Sequence, residues 1–275
     1  MQFFVNRFKV TFFSCLILLL FSCKIFGQNN CHCNLLNKNG GTFFFSFGYN
    51  FDSFSKSDLH FKNTNGDKYD FTIFNAKAID KDGVKDIFHQ DITIPQYSYR
   101  IGYFFNDKHN LGVEFSYDHV KYVVVQNQVV RVKGTIHGEY IDKDTVLTPG
   151  FVKFEHTNGA NYFMINLLKR HTLFVSPNKS HWFSALFKPG AGIVYPRSDV
   201  SMFGKRLNYK YHAAGYVVAL DAGFRYDFFR HFFLEGSMKG AFANYINVYL
   251  PDGGKAHHHF FSFEYIATLG YQFGI

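Results

Sequence analysis

"TFFFSFGYNF", residues Thr42 to Phe51, decides how the chain is read. Every second position gives Phe43, Phe45, Phe47, Tyr49 and Phe51, with Thr42, Phe44, Ser46, Gly48 and Asn50 between them. Successive side chains of a strand point to opposite faces, so a period of two is a strand period. A water-soluble sandwich turns such an apolar face inward, whereas a lipid-facing sheet turns it outward. Alternation within one strand does not separate the two.

The pattern recurs along the chain. "YSYRIGYFF" sets Tyr97, Tyr99, Ile101, Tyr103 and Phe105 against Ser98, Arg100, Gly102 and Phe104. "LGVEFSYD" sets Leu111, Val113, Phe115 and Tyr117 against Gly112, Glu114, Ser116 and Asp118. Similar alternation runs through "VVALDAGFRYD", "FFLEGSMKGAF" and the final "FSFEYIATLGYQFGI". In "WFSALFKPGAGIVY" the rhythm holds, but Pro189 cannot donate to a ladder and suggests a bulge. In "NYFMINLLK" the register is ambiguous.

The connections separate the two architectures. Short links (106–110, 176–180, 229–231) alternate with long polar ones (52–93, 124–157, 196–212, 246–259). Strict short–long alternation belongs to an up-and-down transmembrane barrel with short periplasmic turns and long extracellular loops. The expected fold is therefore all-β and antiparallel, with strands near 42–51, 94–105, 110–123, 158–174, 181–195, 213–228, 232–245 and 260–275. That makes eight. Ten is the alternative, if "LHFKNTNGDKYDF" inserts as a hairpin around Asn65-Gly66, a pair suited to a type I′ turn. The charges of Asp58, His60, Lys62, Asp67, Lys68 and Asp70 argue for an extracellular hairpin instead.

Composition agrees with a β membrane protein rather than a helical one. Of 275 residues, 37 are Phe and 18 Tyr, yet 18% are charged, and the mean hydropathy is −0.12. The single continuous apolar stretch, Val10 to Phe21, is short for a bilayer span. With Arg7 and Lys9 before it and Gly27 after, it has the build of a secretory signal over residues 1–27. Lipoprotein processing at Cys23 is the rival. A periplasmic segment would follow at 28–41 and the barrel at 42–275. Losing Arg7, Lys9 and Lys24 takes the formal charge from +8 to +5, a mild and scattered excess without the stacking residues that nucleic acid needs. Cys31 and Cys33 flank His32, too few ligands for a tetrahedral metal site.

On these residues the chain resembles the small eight-stranded outer-membrane β-barrel family, with the OmpA-type barrel as its best-known member. The resemblance rests on the export signal, the loop alternation and the terminal "GYQFGI", and it covers essentially the whole mature chain. The ending Phe273-Gly274-Ile275 departs from the family's usual aromatic terminus. A periplasmic domain of the OmpA kind after the last strand is not expected. The resemblance implies the bacterial outer membrane and its lipid as surroundings, but no single activity.

Candidate functional residues fall into three groups. Arg100, Lys188, Arg225 and Lys239 face inward with Glu114, Asp118, Asp221, Asp227, Glu235 and Glu264. In a bore that side chains can fill, this set reads as a satisfied charge network; a narrow pore or proton path is the functional alternative. His156 would stand at the extracellular end of its strand, at the depth of the outer leaflet. Lipid A deacylases are also eight-stranded barrels, and their pattern places a nucleophilic Ser two residues after a His. Here that position is Asn158, and Thr157 points to the other face, so the nucleophile is missing. His257, His258 and His259 are consecutive and do not converge on a metal unaided. With no phosphate-binding glycine loop and no His-Glu-x-x-His motif, no cofactor is expected. The expected function is non-enzymatic: extracellular loops on a rigid barrel, binding an envelope protein or other surface partner. A lipid A-modifying enzyme is the alternative.

Overall fold

The computed structural model describes residues 40–81, 96–106 and 109–274. The expected signal, the periplasmic segment and Cys31 and Cys33 lie outside the described residues. Eight strands form a closed cylinder: β1 (Thr42–Phe54), β5 (Tyr97–Phe104), β6 (Leu111–Asp118), β11 (Tyr162–Val175), β12 (His181–Val194), β15 (Gly215–Phe228), β16 (Phe232–Tyr249) and β17 (Lys255–Gly274). They are hydrogen-bonded antiparallel in that order, and β17 pairs back onto β1 from Thr42↔Gly274 to Phe54↔Ser262. Closure leaves the wall without a free edge, which is what a sheet surrounded by hydrocarbon requires.

Inside and outside alternate without exception along β1 from Thr42 to Asp52. Phe45 is 53% exposed on the outer face, whereas its neighbour Ser46 is 4% exposed and points inward. The outer middle band holds Ile101, Val113, Phe115, Ile165, Leu167, Phe187, Val218 and Leu269, all exposed. Tyrosines gather toward both rims: Tyr49, Tyr99 and Tyr216 at one, Tyr226 at the other. An apolar band between aromatic rims, wrapped around a charged interior, is the reverse of a soluble protein and matches a lipid-facing wall.

Two sequence expectations need correction. Pro189 makes no bulge: the register against β15 runs unbroken through Pro189↔Leu220, and the irregularity in this hairpin lies between Thr172 and Phe174. Pro189 instead faces outward, where its missing donor costs one ladder bond. The Asn65-Gly66 turn is not a two-residue type I′ turn, since only Gly66 takes positive φ and the connection spans 64–68. The "NYFMINLLK" register resolves with Phe163, Ile165 and Leu167 outward and Met164, Asn166, Leu168 and Arg170 inward.

The long connections fold into a cap. β2 (Ser57–Asn63) and β3 (Tyr69–Ala76) form the expected hairpin, but it continues the sheet above the barrel. β2 pairs with the outward end of β17 (Lys255↔Lys62 to His258↔Leu59), leaving β1 paired to β17 below it. The barrel therefore keeps eight strands. β8 (Val129–Ile136) and β9 (Glu139–Val146) extend this sheet. A second sheet is built from β4 (Ala78–Ile79), β7 (Tyr122–Val124), β10 (Val152–His156), β13 (Asp199–Met202) and β14 (Lys205–Asn208). Phe61 of the first sheet stacks on Phe71 at 5.1 Å and meets Phe154 of the second edge-on at 5.8 Å. With Ile73, Val132, Leu147 and Val200 they form a dry core. That core runs on through Tyr122, Phe260, Tyr245 and Tyr162 into the mouth of the barrel.

Candidate functional site

The bore is filled in layers. At the short-turn end, Phe44, Phe104, Leu168, Leu186 and Phe233 form an apolar cluster. The Arg225 guanidinium lies 3.3 Å from the centre of the Phe233 ring and is held by Asp227 at 3.0 Å and Gln272 at 2.7 Å. Arg170 sits over Phe104 at 4.4 Å. A cation against an aromatic face is attracted by the ring quadrupole, most strongly where water is excluded. Gly102 makes room for this plug: a Cβ there would come within 2.2 Å of Phe44 Cζ.

Midway, the Lys188 ammonium is surrounded by Glu235, Glu114 at 3.4 Å and Asp221 at 3.7 Å, and Asn166 donates to Glu114 at 3.0 Å. Above it Arg100 bonds Asp118 at 2.7 Å and lies 3.7 Å from Glu114. Lys239 bonds Asp118 and sits 3.4 Å from Glu264. Nearest the cap, Asp52 accepts from Gln96 at 2.8 Å and from Asn50 at 3.2 Å. All ten charges singled out in the sequence stand inside this column, each buried. Arg170, Asn166, Asp52 and Gln96 join them unannounced. Arg170 was hidden by the ambiguous register of its strand, and Asp52 lies one alternation step past Phe51.

His156 does not stand at a lipid-facing strand end. Its strand, β10, belongs to the cap, and the ring is fully buried. A hydroxyl does reach it, from a different segment: Ser198 Oγ lies 2.8 Å from His156 Nδ1. On the other side His156 Nε2 and His258 Nε2 are 3.1 Å apart, and His258 Nδ1 is 3.5 Å from Ser57 Oγ. Tyr245 stacks on both rings at 4.9 Å, and Tyr122 lies against His258 at 5.2 Å. Burial, with a smaller contribution from His212, pulls the His156 pKa down to about 3. Ser198 is 1% exposed, so this serine–histidine pair has no open face toward a substrate. Thr157 bonds Glu155 instead, and the Asn158 carbonyl accepts from the Tyr211 hydroxyl.

The three consecutive histidines alternate with the strand: His257 and His259 point outward, His258 inward. Among the described residues no three His, Cys, Asp or Glu side chains are placed to hold a metal ion. On the cap surface an open cleft of about 440 Å³ is lined by Arg197, Asn208, Tyr209, Lys210 and Tyr211.

No family model matches the chain and no curated protein does. Among solved structures it is similar to Ail, the attachment invasion locus protein of Yersinia pestis, solved in complex with the heparin analogue sucrose octasulfate. That match has 14% identity, 85% of this chain and 99% of that one covered, and a TM-score of 0.33. It is also similar to the outer membrane protein OprG from Pseudomonas aeruginosa, at 12% identity with 86% and 97% covered and a TM-score of 0.36. The outer membrane protease OmpT from Escherichia coli follows at 9% identity, 88% and 99% covered, TM-score 0.28. Neither an activity nor a ligand follows from likenesses this weak. What the strand pairing itself defines is a closed eight-stranded antiparallel barrel, with an apolar wall, a charged and filled bore, and a folded cap.

Proposed function

We propose that the protein is a non-enzymatic integral protein of the bacterial outer membrane. In this reading the barrel is an anchor, and the cap is an extracellular element that binds an envelope component or other surface partner. The observation that carries the reading is the pairing of a bore filled with buried side chains with an ordered cap. The column from Arg225 to Glu264 fills the barrel, and a hydrophobic core extends from its mouth into the loops. A rigid scaffold that exposes folded loops is how binding surfaces are ordinarily presented. The cleft at Arg197 and Lys210 offers cationic and aromatic groups to a partner carrying negative charge.

The test is site-specific photo-crosslinking in native cells from Tyr140, exposed on β9, and from Tyr211 at the cleft. A discrete adduct from one of them, weakened by Arg197→Glu/Lys210→Glu when it arises at Tyr211, supports the reading. No adduct from either position, together with steady single-channel currents from the purified protein, would replace it with a pore. The alternative, a lipid A-modifying enzyme, draws on the 2.8 Å Ser198–His156 contact. It requires the cap to open, because both side chains are buried.

A further inference from the structure

The histidine pair has a property that neither anchoring nor binding uses. Its hydrogen bonds form one directional chain: Ser198, His156, His258, Ser57. Two neutral rings satisfy it completely. Each imidazole then supplies one N–H and one bare nitrogen, and the two Nε2 atoms share a single proton between them. A second added proton has no place, because it sets two N–H groups against each other across 3.1 Å. The chain also crosses the molecule's main seam. His156 is on β10 and Ser198 immediately precedes β13, both in the second sheet of the cap. His258 is on β17, the strand that continues the barrel wall, and Ser57 is on β2 beside it.

Among the described residues packed on the pair, none is a counter-ion. Packed on the pair are Tyr245 from β16, Tyr122 from β7, and Phe154 and Phe260 from its own strands. The charges bearing on His156 and His258 come from further histidines: His212 on the one, His257 and His259 on the other. The Glu155 carboxylate is engaged by Lys153 and Thr157, and the carboxylate of Asp199 by Arg206. Asp58, next to Ser57, accepts from the Asn75 backbone.

We propose that the His156–His258 pair is an acid-released latch, which holds the second sheet of the cap onto the barrel's outward extension at neutral pH and lets it go on acidification. The size of the effect follows from linkage. A histidine that stays neutral while locked, but titrates near 6.5 when freed, multiplies the open-to-closed ratio by about 100 at pH 4.5. Two such rings would give about 10,000-fold.

Hydrogen–deuterium exchange on the full-length protein in detergent micelles, corrected for intrinsic rates, tests this between pH 7.5 and 4.5. The expected result is a loss of protection of at least about 100-fold in β10 and β13, with the membrane-spanning stretches unchanged. In His156→Gln/His258→Gln, whose amides can complete the chain without titrating, that loss should disappear. Unchanged protection in the wild type, or the same loss in the double variant, overturns the proposal. Should the double variant fail to fold, ¹⁵N NMR of the wild-type imidazoles decides. Both rings should take up protons in the same pH step as the loss of protection. Protonation without opening, or opening with both rings neutral, would refute the latch.

Discussion

Replacing Lys188 with Met is the sharpest test of a dry, filled bore. Its ammonium is 1% exposed and is shared by the carboxylates of Glu235, Glu114 and Asp221. Removing it leaves three buried carboxylates with Arg100, 3.7 Å from Glu114, and Lys239, which bears on Asp221, as the nearby cations. Breaking a buried ion pair from one side costs about 3–5 kcal/mol, because the remaining charge is neither solvated nor paired. With a urea dependence of about 1–3 kcal/mol per molar, the unfolding midpoint in lipid vesicles should fall by roughly 1–5 M. Tryptophan emission can follow the transition, since Trp182, the only tryptophan, is buried in the bore. Adding Glu235→Gln removes one orphaned charge and should recover part of the loss. A stability within about 0.5 kcal/mol of wild type would refute the reasoning. It would mean that water reaches these carboxylates and that the column is the lining of a channel.

Four further outcomes follow from the geometry. In planar bilayers the purified protein should show no stable large conductance; steady steps would reverse the anchor reading. Leu167→Arg places a charge on the middle of the outer wall, where Leu167 is 62% exposed. It should cost about 2–4 kcal/mol if that wall meets hydrocarbon and almost nothing if it meets water, as vesicle unfolding would show. Gly102→Val drives a side chain into the Phe44 ring and should destabilise by about 1–3 kcal/mol, read from the temperature at which the folded band is lost in electrophoresis. His156→Ala should leave the acyl-chain count of lipid A unchanged by mass spectrometry, and loss of a chain that depends on this histidine would restore the enzyme alternative.

The barrel was legible in the sequence because its constraint is local and repeats. A strand buried on one side and in hydrocarbon on the other must alternate, and the alternation of Phe43 to Phe51 or Phe261 to Phe273 survives any choice of partner strand. The inward charges were legible for the same reason: once Phe115 and Tyr117 point out, Glu114 and Asp118 must point in. Of the cap, the β2–β3 hairpin was legible and the rest was not. The strands of its second sheet are short, as few as two residues in β4, and the cap core joins residues far apart in the chain, such as Phe61 with Phe154. His156 shows the limit most clearly. Local reading looked for its partner hydroxyl at Thr157 and Asn158 and gave it the wrong surroundings. The partner hydroxyl comes from Ser198, 42 residues away, and no local pattern links the two.

The polar column and the cap core together explain why this barrel can be small and still carry so much chain outside the wall. An eight-stranded bore is just wide enough for side chains to fill. Here ions bridge different strands: Lys239 of β16 joins Asp118 of β6 across the bore, and Lys188 of β12 joins Glu114 of β6. Such cross-bore links resist ovalisation of the barrel, so the rim on which the loops stand keeps its shape. The loops then extend the wall rather than leave it: β17 runs unbroken from Gly274 to Lys255, exchanging β1 for β2 as its partner on the way. The cap is joined to this rim by the dry core that runs into the barrel mouth. It is therefore reasonable that its seam with the barrel contains a neutral, titratable histidine pair in place of another permanent ion pair, since the rim beneath supplies the rigidity and the seam is left free to respond.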